Sequence, residues 1–325
     1  MVRVRAYPRL HVTLLDLSDA TFRKYGGAGF TLSGPFTEVT ATASPDAETT
    51  ILGLDQFDYQ GQKDILDAVE RLKQFTSVRS SYIVIGKLPP QHIGLGSKTS
   101  IILSILKAIQ IHGGLDIDQE TLQTLSCRGG TSGVGINTFF TGGFVVDSGH
   151  DPSISRSFTP SSFKKAAITP PLLCRLPIPS SWSFYLLLPP GKKYYGGEEV
   201  EFFRANTPIP KLESLEALAL VYHGVASAVA TCDLSLLKKS LTELRSVGFK
   251  SRECQGQPAI VRNVMEAIDM LPSCAVGMSS MGPLAYVVAE RDNTSAAAIQ
   301  EVAAHYGTEL LGVFTGHNGP FDIIL

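Results

Sequence analysis

The residues best able to do chemistry lie in three glycine-rich loops. The first reads Pro90-Gln-His-Ile-Gly94-Leu95-Gly96-Ser97-Lys98-Thr99-Ser100 and runs directly into a predicted helix. Glycines let a backbone approach a ligand closely, and a helix start offers N–H groups carrying partial positive charge. That combination binds phosphate. Ser97 and Thr99 are each able to cap the helix, donate to phosphate or reach a metal, and Lys98 adds a point charge. The loop is not a Walker A motif, because His92 stands where its first glycine belongs and Ser97 precedes the lysine. A plain helix cap with flexible glycines accounts for this loop about as well.

The second loop is Cys127-Arg128-Gly129-Gly130-Thr131-Ser132-Gly133-Val134-Gly135, whose glycines, hydroxyls and arginine form a second anion cradle. The third is Gly277-Met278-Ser279-Ser280-Met281-Gly282-Pro283. Neither is a nucleophile elbow, since Val134 and Met281 occupy its last glycine position. Singly, each loop reads as a structural turn; three in one chain shift the balance toward a site. A further cluster joins Arg9-Leu10-His11 to Arg23-Lys24-Tyr25-Gly26-Gly27-Ala28-Gly29, enough cationic groups to hold a carboxylate or a phosphate. A solvated hairpin is its plainer reading. Leu32 replaces the third glycine of a dinucleotide fingerprint there. The stretch Gly142-Gly143-Phe144-Val145-Val146-Asp147-Ser148-Gly149-His150 ends an expected strand on a carboxylate and an imidazole. These serve either as metal ligand and acid/base or as ordinary turn residues.

The elements that must position these loops are mixed. Spacing and alternation predict strands over 36–43, 81–85 and 182–188, and helices over 63–75 and 97–111, the latter stopped by Gly113-Gly114. Helices are also expected over 212–231, 234–247 and 294–306, with two strands around a loop over 274–290. Prolines crowd the stretch from Pro160 to Pro179, which is the expected domain junction. Strands first, helices in the middle and a late hairpin indicate an α+β fold.

Composition closes off other classes. The 325 residues suit two domains, and 28 basic against 30 acidic residues give a net charge of −2. That balance lacks the basic footprint of a nucleic-acid binder. No apolar run of about 20 residues is visible, so no membrane association is expected. The five cysteines, Cys127, Cys174, Cys232, Cys254 and Cys274, contain no C-x-x-C pair, which fits free thiols in a cytoplasmic enzyme.

Together these segments resemble the GHMP kinase superfamily. Pro90-x-x-x-Gly94-Leu95-Gly96-Ser97 resembles its central motif and Gly277 to Pro283 its third motif. The details are closer to a non-kinase branch, the β-ribofuranosylaminobenzene 5′-phosphate synthases and related C-nucleoside synthases. The similar segments are Arg9-Leu10-His11, Tyr25 to Phe30, Gly94 to Ser97, Arg128 to Gly135 and Gly142 to His150. Glu198 to Phe203, Gly248-Phe249-Lys250 and Gly277 to Pro283 follow in the family's order, so nearly the whole chain is covered.

The resemblance implies a domain over residues 1–175 like ribosomal protein S5 domain 2, and a ferredoxin-like domain over 176–325. It implies transfer of a ribosyl phosphate from 5-phosphoribosyl 1-pyrophosphate to the ring carbon of 4-aminobenzoate or 4-hydroxybenzoate, with loss of carbon dioxide and pyrophosphate. On this reading Gly94, Leu95, Gly96, Ser97, Lys98, Thr99, Arg128, Gly129, Gly130, Thr131, Ser132, Ser279 and Ser280 hold the phosphates. Arg9, His11, Arg23, Lys24 and Gly27 hold the acceptor, and Asp147 ligates Mg²⁺. Lys98, Arg128 and His150 are the catalytic candidates, Lys250 is expected at the surface, and a homodimer is expected because dimers are common in that family.

Three departures bear on the acceptor. The family loop usually reads Gly-Leu-Gly-Ser-Gly-Thr-Gln, whereas Lys98 and Ser100 replace a glycine and the glutamine here, and Tyr25 stands where an acidic residue is common. Related synthases of antibiotic pathways couple the same donor to a pyrazole dicarboxylate, which is the nearest alternative. A small-molecule kinase using ATP is disfavoured because Gly135 stands where many of the kinases carry a catalytic aspartate. A non-catalytic binding protein is disfavoured by the retained polar loops.

Overall fold

The computed structural model describes residues 1–18, 21–45, 48–76, 80–154, 160, 168–291 and 295–325. Strands Val2–Ala6 (β1), Arg9–Asp16 (β2), Tyr25–Thr31 (β3), Thr37–Ala43 (β4) and Thr50–Leu52 (β5) open the chain. Helix Tyr59–Phe75 (α1) leads to strand Ser81–Lys87 (β6), then to helices Ser97–His112 (α2), Gln119–Ser126 (α3) and Val134–Thr141 (α4). Strands Phe144–Asp147 (β7), Leu172–Leu176 (β8) and Trp182–Leu188 (β9) follow. A helical block then comprises Gly197–Asn206 (α5), Lys211–Ala219 (α6), Ser227–Thr231 (α7), Leu234–Leu244 (α8), Gly248–Gln255 (α9) and Ala259–Asp269 (α10). Strands Cys274–Met278 (β10) and Ala285–Glu290 (β11), helix Ser295–His305 (α11), and strands Glu309–Thr315 (β12) and Asp322–Ile324 (β13) complete it.

The first sheet has strand order β13-β1-β4-β6-β5. Its strands alternate, so that Val4, Val39 and Ile83 point inward onto α2. That helix is apolar almost all round, Ile101 to Ile109, because it is covered on several sides. The last sheet runs β10-β11-β9-β12, antiparallel throughout, the strand order of a ferredoxin-like domain. The α+β class and the ferredoxin-like sheet in the second half are therefore as expected. A third sheet, β2-β3-β7-β8, interleaves with the first in sequence, and its β2 lines the site. Its β3 takes Gly29 of necessity, since a Cβ there would stand 2.3 Å from the Leu10 carbonyl oxygen on β2.

Several boundaries differ from expectation for visible reasons. Helix α1 begins a turn before Lys63, because Asp58 caps it by accepting from the Gly61 N–H at 2.7 Å. Thr294, the expected start of the last helix, lies outside the described residues. Helix α6 continues into α7 through a π-helical stretch, Leu220–Ala226, where a Cβ on Gly224 would press on Ser240. By length and composition this run, Lys211–Thr231, is apolar enough to cross a membrane, contrary to the sequence expectation; Val221, Val225 and Val229 on it belong to the core. The proline-flanked β8 is a sheet-edge strand paired with β7, and a boundary after residue 175 falls inside it.

Candidate active site

Three segments far apart in sequence are stitched together around the first glycine loop. Gly94 has φ +111°, and a Cβ there would stand 2.4 Å from the Ser279 carbonyl oxygen, so only glycine fits. The carbonyl of Gly94 accepts from Arg9 Nη1 at 2.5 Å and from Ser279 Oγ at 2.7 Å. Ser279 Oγ in turn accepts from the His11 N–H at 2.9 Å, and the Ser280 N–H donates to the His11 carbonyl at 2.9 Å. The N-terminus of α2 is thereby fixed beside β2, with Gly96 at its cap and Ser97, Lys98 and Thr99 in its first turn.

The second loop is held from behind by a buried carboxylate. Asp147 Oδ2 accepts from the Gly133 N–H at 2.8 Å and from Ser132 Oγ at 3.0 Å, while Oδ1 accepts from the Gly149 N–H at 3.0 Å. The Gly27 N–H donates to it as well, and burial nonetheless pushes the carboxyl up to about 7. Asp147 thus ties β3, the start of α4 and the turn after β7 into one frame. His150 Nε2 lies 3.0 Å from the Gly129 carbonyl, and Arg23 donates to the carbonyls of Ser148 and Gly149 at 2.6 Å each. Lys24 exchanges backbone hydrogen bonds with His150.

Both loops open onto one cavity of about 230 Å³. Arg9, His11, Gly94, Gly96, Ser97, Lys98, Thr99, Arg128, Gly129, Thr131, Ser132 and Ser280 all line it. The starts of two helices, α2 and α4, therefore face the same space with three cations. Arg128 Nε donates to Thr99 Oγ1 at 3.2 Å, linking the two loops, whereas Lys98 is ion-paired with Asp64 on α1. Burial lowers the Arg128 guanidinium, and burial and then Arg128 lower Arg9 to about 10. Two desolvated, mutually repelling guanidiniums on one wall form a site for an anion.

Other sequence candidates stand elsewhere. Asp147, His150, Arg23, Lys24 and Gly27 do not line the cavity; they support its wall, so the metal-ligand, acid/base and acceptor roles expected of them do not follow from their positions. Leu95 is packed in the core, Gly130 is buried outside the cavity, and Ser279 acts through its hydrogen bonds. Among the described residues no group of three or more His, Cys, Asp or Glu is placed to hold a metal ion.

The remaining lining residues carry no assigned role in the sequence expectations. Helix α5 contributes Glu199 and Phe203, the preceding turn contributes Tyr194 and Tyr195, and Leu14 and Met281 add apolar surface. Tyr195 and His92 face one another at 5.0 Å between ring centroids. Helix α9 adds Glu253, only 2% exposed yet on the cavity wall. Its partner Lys250 is equally buried, where surface exposure was expected. The Lys250 ammonium lies 2.5 Å from Glu253 Oε2 and donates to the carbonyls of Met278 and Ser280. The i,i+3 spacing of these opposite charges was the available signal.

This geometry agrees with what related proteins are. No protein-family model matches the chain. It is 31% identical to β-ribofuranosylphenol 5′-phosphate synthase of Archaeoglobus fulgidus over 290 residues, covering 89% of this chain and 88% of the other. It is 31% identical to the synthase of the same name from Methanothermobacter thermautotrophicus over 300 residues, covering 90% and 91%. In fold it matches homoserine kinase of Cytophaga hutchinsonii at TM-score 0.68 and 17% identity, covering 99% of this chain and 97% of that one.

Proposed function

The chain belongs to the β-ribofuranosylphenol 5′-phosphate synthase family, and we infer from this that it joins a ribosyl phosphate to an aromatic ring carbon. The donor is 5-phosphoribosyl 1-pyrophosphate, the acceptor is 4-hydroxybenzoate or a close para-substituted benzoate, and carbon dioxide and pyrophosphate are released. The observation that carries this is the 31% identity over about nine-tenths of both chains. The cavity supports it independently, lined by glycine-rich loops with cations and by apolar and aromatic side chains.

Departure of pyrophosphate from the sugar C1 needs the leaving anion stabilised. The first turn of α2, the start of α4 and Arg128 offer fixed dipoles and charge for that purpose, with no reorganisation at the moment of reaction. Ring attack needs alignment opposite the leaving group; Leu14, Phe203 and Met281 offer a flat apolar surface, and Arg9 a cation for a carboxylate. Loss of carbon dioxide from the attacked carbon restores aromaticity without a strong base at that carbon.

Mg²⁺ fits this wall only in part. Asp147 already accepts hydrogen bonds on both oxygens behind it, but Ser97, Thr99 and Glu199 present hard oxygen donors to the cavity. These residues would hold an ion that enters on the diphosphate, where its charge would further stabilise the leaving group. Five free cysteines and a cytoplasmic site of action belong to the same reading.

Mass spectrometry of the protein incubated with phosphoribosyl pyrophosphate, Mg²⁺ and a mixture of 4-hydroxybenzoate, 4-aminobenzoate and a pyrazole dicarboxylate tests it, with ATP in parallel. A ribosyl phosphate adduct lacking one carbon dioxide is expected. ATP consumed with the donor intact would overturn the reading.

A further inference from the structure

The family reaction leaves one part of the cavity without a role, the carboxylate of Glu253. It sits on the wall at 2% exposure. Lys250 holds its Oε2 in an ion pair at 2.5 Å and also donates to the carbonyls of Met278 and Ser280. Burying an ion pair is costly, and the carboxylate of this one also lines the cavity. The carboxylate shares the cavity with Phe203 and Met281, against which an aromatic acceptor would lie.

We propose that Glu253 is a catalytic base that takes the proton from the acceptor's para-hydroxyl as the ring attacks, and returns it when carbon dioxide leaves. The inference rests on the synthase reading above. The atoms balance without any added reagent. As the hydroxyl proton moves to Glu253, the oxygen lone pair pushes through the ring, and the carbon bearing the carboxylate bonds to the sugar C1. The bond from C1 to the pyrophosphate oxygen breaks, and pyrophosphate leaves with that electron pair. The product of this step is a dienone with a tetrahedral carbon. The bond to the carboxylate then breaks, its electrons restore the aromatic ring, the oxygen becomes phenolate, and Glu253 gives its proton back.

The surroundings favour this residue over its neighbour His11. The groups facing Glu253 are Lys250 on its own helix, Arg9 on β2 and Cys254 beside it, and His11 on β2 lines the same cavity. Burial, Arg9 and Lys250 all hold the His11 imidazole well below its ordinary range, which makes it a poor proton acceptor. Burial raises Glu253 against the opposing pull of Lys250 and Arg9, which makes its carboxylate a better base than an exposed one.

The test compares wild type, Glu253→Gln and the double variant Lys250→Met/Glu253→Gln, which leaves no unpaired buried ammonium. Acceptors are 4-hydroxybenzoate, its more acidic 3-fluoro derivative and 4-methoxybenzoate, which has no proton to give. Wild type should turn over the two phenols and not the ether. Glu253→Gln should lower kcat on 4-hydroxybenzoate by about 10²–10⁴-fold with little change in the donor KM, and lose the acid limb of the pH profile. That loss should shrink on the fluorinated acid, which ionises more readily. Equal losses on both phenols, an unchanged variant, or wild-type turnover of the ether as fast as the phenol would each overturn the proposal. The ether comparison needs no variant to fold. No product from wild type with any acid would overturn the synthase reading and this inference with it.

Discussion

At the scale of single residues, the three cations on the cavity wall are not equivalent. Lys98 is ion-paired with Asp64, so part of its charge is already spent within the protein. Arg128 instead donates to Thr99, and its charge opposes that of Arg9. Binding a diphosphate should therefore relieve the Arg9–Arg128 repulsion and draw more on Arg128 than on Lys98. Arg128→Ala is expected to lower kcat/KM for the donor by about 10²–10³-fold, and Lys98→Ala by about tenfold or less. Arg128→Lys should recover little, because an ammonium cannot bridge Thr99 and a phosphate as the planar guanidinium does. Steady-state kinetics on the variants decides this, and a larger loss at Lys98 would refute the ranking.

At the scale of elements, the glycine loop works because three segments converge on the Gly94 carbonyl. Gly94→Ala would set a Cβ 2.4 Å from the Ser279 carbonyl oxygen at a φ that alanine avoids. The loop must move off Ser279 and Arg9, so α2 loses its fixed start. Activity should fall by about 10²-fold or more, the scale of loss that a 1 Å misplacement of binding groups produces, while the melting transition stays cooperative. Near-native turnover of this variant would show that the loop tolerates displacement. The loop itself was legible in sequence, since its glycines, hydroxyls and lysine precede a long apolar run that had to be helix α2. What fixes it was not. Ser279 lies 185 residues from Gly94, and no local pattern announces that its hydroxyl will be wholly buried. The hydrogen bonds that Asp147 and His150 make within the wall were hidden for the same reason. A carboxylate and an imidazole at a strand end look available, and only the packing of β3 and α4 shows what they hold. The burial of Glu253 was hard to read because α9 is polar in sequence, Gly-Phe-Lys-Ser-Arg-Glu-Cys-Gln, and such a stretch reads as solvated; the i,i+3 charge pair with Lys250 was its one signal.

At the scale of the molecule, composition and element order point to two domains joined through a proline-dense stretch; the cores of the first and last sheets fall on either side of it, but a third core spans it. Phe30 of β3 packs on Phe144 at 4.9 Å, Phe184 at 5.5 Å and Tyr286 at 6.4 Å, so one aromatic cluster joins the two halves. Val221, Val225 and Leu241 of the helical block belong to the same core as Leu10 and Val12 of β2. The end of the chain also returns to its beginning, because β13 pairs with β1, Arg3 facing Ile324. A chain divided into residues 1–176 and 177–325 would leave these aromatics exposed on both pieces, each forfeiting roughly 150–250 Å² of burial. It would also leave β1 as an open edge, a template for aggregation. Neither fragment alone should show a cooperative melt or near-ultraviolet circular dichroism, whereas co-expression of the two should restore both, and with them the cavity that needs β2 from one piece and α9 from the other. A cooperative transition from either fragment by itself would mean that the sequence boundary is a true folding boundary, and that the shared core forms by docking of two finished domains rather than as one structure.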